Sequence, residues 1–199
     1  PQQLIEPAQP CTRVAVLGDD HVGLKPTFLV QAGDRIQRGQ SLFEDKSNPG
    51  VRHTAPASGV VSAIHRCDKR AFLSLVIDVD DDGAADAQLP FSSYTGDAPQ
   101  QLAADAVRAL LLESGLWTAL RTRPFSRVPD PTSSPRALFI TAIDTRPHAP
   151  SVDAVLAGRI DDFQAGVACL AKLSSGTTFV CVAAGSSVTV PDLPGIKVE

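Results

Sequence analysis

Two short stretches that contain glycine constrain the fold of this chain more than any other feature of its sequence. Residues 33–40 read GDRIQRGQ, and residues 55–61 read APASGVV. Glycine adopts positive φ more readily than any other residue, so each stretch predicts a tight turn. Valines and isoleucines alternate with other residues around both turns, which predicts strands that face one core. The first part of the chain is therefore expected to be a small all-β unit.

Short segments with strand composition continue on both sides of these turns. They are separated by turn signals rich in glycine, asparagine, aspartate and proline. Strands this short and this close together favour a small barrel or sandwich. The predicted strands are residues 13–17, 27–30, 41–43, 60–64 and 72–79.

The character of the sequence changes after about residue 95, where helical spacing begins to alternate with continuous apolar runs. A strand, a helix and a second strand in this order predict a parallel βαβ unit with a right-handed crossover. The predicted elements are a helix at residues 100–114, a strand at 137–143, a helical region that opens at 151–153, runs to Leu173 and is stopped by Gly176, and a strand at 178–184.

The length of 199 residues allows two small domains, each with its own core. We predict a β domain at residues 1–95 and a Rossmann-like α/β domain at 96–199, an α+β arrangement overall. The net charge of −4 argues against nucleic acid as a partner. No stretch has the composition of a membrane span. Because methionine is absent, we expect the chain to be a piece of a longer protein.

The predicted β domain resembles the barrel-sandwich hybrid of lipoyl and biotinyl carrier domains. Those domains pair a G-D-x-V-x-x-G-Q turn with an A-P-x-x-G-x-V turn, and their modified lysine lies at a hairpin tip midway between the two. Here Asp45-Lys46 matches the carrier D-K, but the tip falls at residues 48–50, NPG. We therefore expect the fold without the carried group. A carrier module modified on Lys46 is kept as an alternative.

Residues 113–125, ESGLWTALRTRPF, resemble a flavin-binding segment of the flavin subunit of respiratory complex I, roughly S-G-L-x-G-x-G-G-x-G-F-P. Its glycines let bare main chain lie against a phosphate and a flavin ring. Only Gly115 is retained, and Trp117 stands among the bulky replacements. We therefore expect no FMN here. No catalytic residue is assigned, since dinucleotide, P-loop and serine-hydrolase motifs are also absent.

Metal binding is not expected either. The histidines and cysteines are scattered, without H-E-x-x-H or C-x-x-C spacing. The acidic run of Asp78, Asp80, Asp81 and Asp82 lacks the glycine and glutamate of an EF-hand loop. We interpret it as a solvated connection between the two domains.

Longer motifs resemble the A subunit of the sodium-translocating NADH:quinone reductases (Na⁺-NQR). The resemblance implies a peripheral subunit on the cytoplasmic face of the bacterial inner membrane, in a complex that oxidises NADH, reduces ubiquinone and exports Na⁺. It implies that this piece holds no redox cofactor. It also implies that the piece attaches to the membrane through other subunits, and the membrane-embedded B subunit is the partner we expect most. The motifs are residues 17–18, 22–26, 40–50, 54–59, 63–66, 114–126 and 142–145.

The candidate contact surface for ubiquinone or a partner is Trp117, Arg121, Arg123, Phe125 and Arg127. Tryptophan and arginine are favoured at interface hot spots, and arginine can stack on a flat ring or donate to a quinone carbonyl. Alternatively, Trp117 fills the former flavin cavity, while the arginines pair with acids or cap carbonyls. In that case the protein could be a pure scaffold that docks membrane subunits.

Overall fold

The computed structural model describes residues 5–80 and 88–199 of the chain, which forms two compact units. The first, here called the β unit, contains the described residues of Gln9–Thr95 together with Arg108–Ser133. The second, the α/β unit, contains the described residues of Pro1–Ala8 together with Gly96–Val107 and Ser134–Glu199. The boundaries of the two predicted domains, 1–95 and 96–199, stay a prediction.

The described strands of the β unit form two antiparallel sheets. One has the order β1-β7-β6-β3 and the other the order β2-β4-β5. Each predicted strand is present, with shifted ends in several cases. Strands β3 and β5 were not predicted, because each is too short to show an alternating pattern. The strands are β1 (Arg13–Leu17), β2 (Pro26–Phe28), β3 (Arg35–Ile36), β4 (Ser41–Asp45), β5 (Arg52–Thr54), β6 (Gly59–Arg66) and β7 (Phe72–Val79).

One apolar core holds these two sheets together, as the alternating pattern predicted. At its centre the rings of Phe28, Phe43 and Phe72 lie with every pair of centroids 5.3 Å apart. The tilted and edge-on geometry of these rings is the one that aromatic pairs prefer. The buried members of the core are Val30, Ile36, Leu42, Phe43, Ala55, Val61, Phe72, Leu75 and Ile77.

The α/β unit is built on a parallel sheet of order β10-β9-β8. Helix α3 lies between β8 and β9 in the chain and packs on the sheet through Val167, which lies with Ala142 and Val180 in one buried cluster. The predicted parallel βαβ unit is therefore confirmed. The elements are α1 (Ala104–Glu113), β8 (Ala137–Ala142), α2 (Val152–Val155), α3 (Ile160–Ala171), β9 (Thr177–Val182) and β10 (Ile196–Val198), and α1 continues into the β unit.

The predicted start of the first helix at residue 100 is wrong. The ammonium of Lys172 donates to the main-chain carbonyls of Pro99 and Gln100, at 2.7 and 3.1 Å, and to that of Leu102 as well. In a helix these carbonyls would be directed at amides four residues later in the chain, and here they are directed at the lysine. The helix therefore begins at Ala104.

The predicted second helical region is two helices rather than one. Helix α2 ends at Val155 and α3 begins at Ile160, with Gly158 at a φ of 74° between them. Gly176 is also not the helix stop, because α3 ends at Ala171. At Gly176 a Cβ atom would lie 1.9 Å from the carbonyl oxygen of Arg136. This glycine is therefore required by the close approach of two backbones beside β8 and β9.

Replacing Gly176 by alanine is expected to destabilise the protein by about 1–3 kcal/mol, because the new methyl group overlaps a main-chain carbonyl. Gly166→Ala is the matched control. Gly166 lies within α3, a Cβ there meets nothing within 4 Å, and alanine should stabilise by about 0.5–1 kcal/mol. Urea denaturation followed by circular dichroism measures both. Equal effects of the two substitutions would contradict the packing argument.

Candidate functional site

The segment of residues 114–129, here called the Trp117 bend, follows α1 and packs against the β strands of its own unit. Its second residue is Gly115, which is buried with a φ of 79°. The hydroxyl of Thr54 on β5 donates to the carbonyl of Ser114 at 2.8 Å. A Cβ at Gly115 would lie 2.6 Å from the same hydroxyl. The one glycine retained from the flavin-like motif is therefore needed for packing, whatever the bend binds.

Trp117 lies in the interior of the β unit, with 3% of its surface exposed. Its indole N–H donates to the carbonyl of Pro129 at 2.9 Å. The guanidinium carbon of Arg108 lies 5.3 Å from the centre of the indole ring, within cation–π range. For this residue the structure favours the alternative interpretation, in which the indole fills space inside the bend rather than presenting a surface.

The same carbonyl of Pro129 holds the tip of the β4–β5 hairpin. Asn48 lies in this tip, as predicted, and its side-chain amide donates to Pro129 at 2.9 Å and to the carbonyl of Val128 at 3.2 Å. A carrier domain presents its lysine from this position. Here the position is occupied by a partly buried asparagine that is bound to the bend. Lys46 lies earlier, directly after β4, and is exposed.

Arg121 is exposed, but its guanidinium is already engaged by main-chain carbonyls. It donates to Leu120 at 3.0 Å, to Asp20 at 3.1 Å and to Thr118. Its Nη2 atom also lies 3.4 Å from Nδ1 of His21. Arg121 therefore caps carbonyls and fixes the bend against the loop after β1, as the alternative interpretation proposed for the arginines.

Arg123, Phe125 and Arg127 lie together in an exposed turn of residues 122–127, here called the Phe125 turn. Phe125 has 74% of its surface exposed. The turn is closed by the amide of Thr122, which donates to the carbonyl of Arg127 at 2.8 Å. Within the described residues, no carboxylate lies at ion-pair distance from either arginine. These three side chains are available for contact, and their contact with quinone or a partner stays a prediction.

Sequence reasoning missed a pair of histidines beside the bend. His53 is 4% exposed, stacks on Phe43 with centroids 4.5 Å apart, and meets the ring of His21 edge-on at 4.5 Å. Burial, and then the charge of His21, lowers the pKa of His53 to about 4. Burial, and then the charge of Arg121, lowers the pKa of His21. These two histidines are far apart in the chain, so no spacing rule could have paired them.

Metal-ligating clusters are absent from the part of the chain that the structure describes: no three histidine, cysteine or acidic side chains converge there. In the acidic run, Asp78 pairs with Arg13 and Asp80 with Arg35 at 2.8 Å, while Asp81 and Asp82 lie outside the described residues. Within residues 5–80 and 88–199, no helix has the length and apolar character needed to cross a bilayer.

Comparison with known families matches most of the chain. Residues 1–80 match the NqrA N-terminal barrel-sandwich hybrid domain, and residues 102–199 match the NqrA second alpha/beta domain. The predicted fold class, a barrel-sandwich hybrid followed by an α/β domain, is thereby confirmed.

Similar curated proteins are named as the A subunit of Na(+)-translocating NADH-quinone reductase. The protein of Pseudomonas aeruginosa (strain UCBPP-PA14) is 51% identical over 199 residues, which is 100% of this chain and 43% of that protein. The protein of Shewanella amazonensis is 44% identical over the same shares. That of Yersinia pseudotuberculosis (serotype O:1b) is 48% identical over 95% of this chain and 41% of its own length. The chain thus spans less than half the length of these relatives.

Replacing Trp117 by alanine should destabilise the β unit by about 3–5 kcal/mol, because it empties a buried site and leaves a carbonyl with one donor fewer. Phe125→Ala is the matched control. Its ring is exposed, so the expected change is within about 0.5 kcal/mol. Chemical denaturation followed by circular dichroism measures both. If the two variants were equally stable, the interior position of Trp117 would be wrong.

The buried position of His53 predicts a loss of stability in mild acid. Its pKa is lowered from 6.5 to about 4 in the folded state, so the unfolded state binds a proton first as the pH falls through this window. The free energy of unfolding should therefore decrease between pH 6.5 and about 4, by on the order of 3 kcal/mol from this group. His53→Phe retains the ring stack and should remove this part of the dependence. An unchanged pH profile in the variant is the contrary result.

Proposed function

The chain belongs to the NqrA family, and from this membership we propose that it forms part of the A subunit of a Na(+)-translocating NADH-quinone reductase. Two NqrA domain families match successive parts of the chain, which supports this proposal. Relatives with this name that are 51% identical in sequence support it as well. On this proposal the chain is one component of a multi-subunit translocase, so the other subunits of the complex are its partners.

Within the complex, we assign the chain a role in binding and reducing ubiquinone, coupled to Na⁺ export, on the cytoplasmic face of the inner membrane. The observation that carries this role is the Phe125 turn. An exposed phenylalanine lies between two arginines that have no acidic partner among the described residues. An aromatic ring can bind a flat quinone by stacking on it, and guanidinium groups can donate hydrogen bonds to the quinone carbonyls. The same combination of residues is typical of a hot spot in a protein–protein interface. The membrane-embedded B subunit is the partner that we expect most at this interface.

The chain is proposed to act without a redox cofactor of its own. In the flavoprotein motif, bare main chain contacts FMN at the bend after the helix. Here the indole of Trp117 lies inside that bend and donates to Pro129, and Arg108 lies over its ring. These side chains take up the space in which a flavin would need unobstructed backbone. Electrons would therefore enter and leave ubiquinone through the other subunits.

The second candidate function is that of a scaffold that docks membrane subunits and touches no quinone. It is favoured by the number of candidate side chains that make internal contacts: Trp117 is buried, and Arg121 caps carbonyls. The carrier alternative receives less support, because the hairpin tip is held by Asn48. Lipoylation or biotinylation of Lys46 would appear as an added mass on the intact protein.

Photolabelling of the assembled complex, which contains the full-length NqrA chain, distinguishes the quinone-binding function from the scaffold function. Phe125→Ala combined with Arg123→Gln is expected to reduce labelling by a photoreactive ubiquinone analogue by about tenfold, since a hot-spot residue contributes more than about 1 kcal/mol. Phe139→Ala is the control, because Phe139 is also an exposed phenylalanine, with 64% of its surface accessible, and lies in the α/β unit.

Recovery of the B subunit with the tagged NqrA chain is measured in the same preparations. Reduced labelling with normal recovery supports a quinone contact. Loss of the B subunit from the preparation supports the scaffold function. Normal labelling and normal recovery in the double variant would contradict any role for the Phe125 turn.

A further inference from the structure

A cleft in the β unit concentrates positive charge without a matching set of acids. It has a volume of about 560 Å³ and lies between the loop after β1, the start of β2 and the β6–β7 connection. Its cationic side chains are Lys25, Lys46, Arg66 and Arg70, and its carboxylate is that of Asp19. The cleft with these four cationic side chains is here called the basic cleft. The whole chain is acidic, with a net charge of −4, so the cleft is a local exception.

The main chain that carries these cations is fixed by the sheets. Lys25 immediately precedes β2, and its amide donates to the buried carboxylate of Asp45 at 3.1 Å. The amide of Lys46 donates to the carbonyl of Lys25 at 2.9 Å, so the two lysines are neighbours across adjacent strands. Both side chains are exposed and rise from backbone that is held in place.

The two arginines are linked through a side chain instead. The guanidinium of Arg66 donates to the main-chain carbonyl of Arg70 at 3.1 Å, and its carbon atom lies 5.0 Å from the centre of the Phe28 ring. Arginine presents several donors in a fixed fork, so one bond to a carbonyl leaves others for a ligand. The cleft therefore combines two point charges with forked donors.

None of the four cations has an ion-pair partner within residues 5–80 and 88–199. Like charges gathered in one concavity repel each other, and a bound anion relieves that repulsion. Lysine and arginine together are the side chains that bind phosphate oxygens best. The volume lies in the range of small-molecule sites, which favours a compact ligand over an extended acidic peptide.

We propose that the basic cleft binds a phosphate group with more than one negative charge. Two sources share this chemistry: a soluble phosphate compound and the phosphomonoester headgroup of an anionic lipid. Neither source involves quinone, so this binding goes beyond the proposed function and can fail or succeed independently of it.

Titration calorimetry of the full chain with inorganic pyrophosphate tests the site. Lys25→Gln combined with Lys46→Gln is expected to weaken binding about tenfold or more, because two charge-assisted contacts with phosphate oxygens are lost. Lys25→Arg combined with Lys46→Arg retains the charge and should retain binding. Arg136→Gln with Lys197→Gln removes the same charge from exposed positions in the α/β unit and should change binding less than about twofold.

Flotation with vesicles identifies the source of the phosphate. Vesicles of equal parts phosphatidic acid, whose headgroup is a phosphomonoester with two ionisable oxygens, and phosphatidylcholine are compared with vesicles of phosphatidylcholine alone. Binding of pyrophosphate or of the anionic vesicles that is lost in the glutamine pair and retained in the arginine pair supports the site, and the ligand that binds identifies its source. No binding of either probe overturns the proposal. Binding that survives in the glutamine pair overturns it as well.

Discussion

The carbonyl oxygen of Pro129 receives two side-chain donors from distant parts of the β unit. The indole N–H of Trp117 and the amide of Asn48 each reach it at 2.9 Å. Both lone pairs of this partly buried oxygen are thereby used. Because one donor comes from the bend after α1 and the other from a hairpin tip, the shapes of these two segments depend on each other. The Phe125 turn lies between Trp117 and Pro129 in the chain, so this contact holds the segments on both sides of the turn.

This arrangement explains how the chain can resemble two folds that carry a ligand. The hairpin tip and the bend, which hold the ligand in those folds, are used here for packing. In a carrier domain the hairpin tip holds a modified lysine, and in the flavin subunit of complex I the glycine-rich bend holds FMN. Here the tip carries Asn48 and the bend carries Trp117, and both side chains bind main chain within their own unit. Gly115 persists because Thr54 lies against it, which is a steric requirement of the protein itself. The turn motifs therefore mark the fold, and the side chains placed on them decide what it binds.

Sequence reasoning succeeded where the signal is local. Turn glycines and alternating apolar residues predicted five of the seven strands described in the β unit, and the apolar runs predicted the βαβ order, because each feature depends on near neighbours. It failed where contacts join distant residues. The carbonyls near Pro99 turn toward Lys172, Gly176 faces the backbone of Arg136, and His53 meets His21, and none of these contacts has a spacing rule. The burial of Trp117 was foreseen only as an alternative, because its partner at Pro129 lies within a proline-rich loop without a periodic pattern.

Trp117 is the single tryptophan of the chain, so its fluorescence reports on the bend without interference from other indoles. The most direct measurement is collisional quenching of this fluorescence by acrylamide in the native protein, compared with the denatured one. An indole that is 3% exposed and hydrogen-bonded to the carbonyl of Pro129 should emit at short wavelength in the native protein. Acrylamide should quench this emission only weakly until the protein unfolds. Long-wavelength emission in the native protein, with quenching as efficient as in denaturant, would show that the bend is open and would contradict this account.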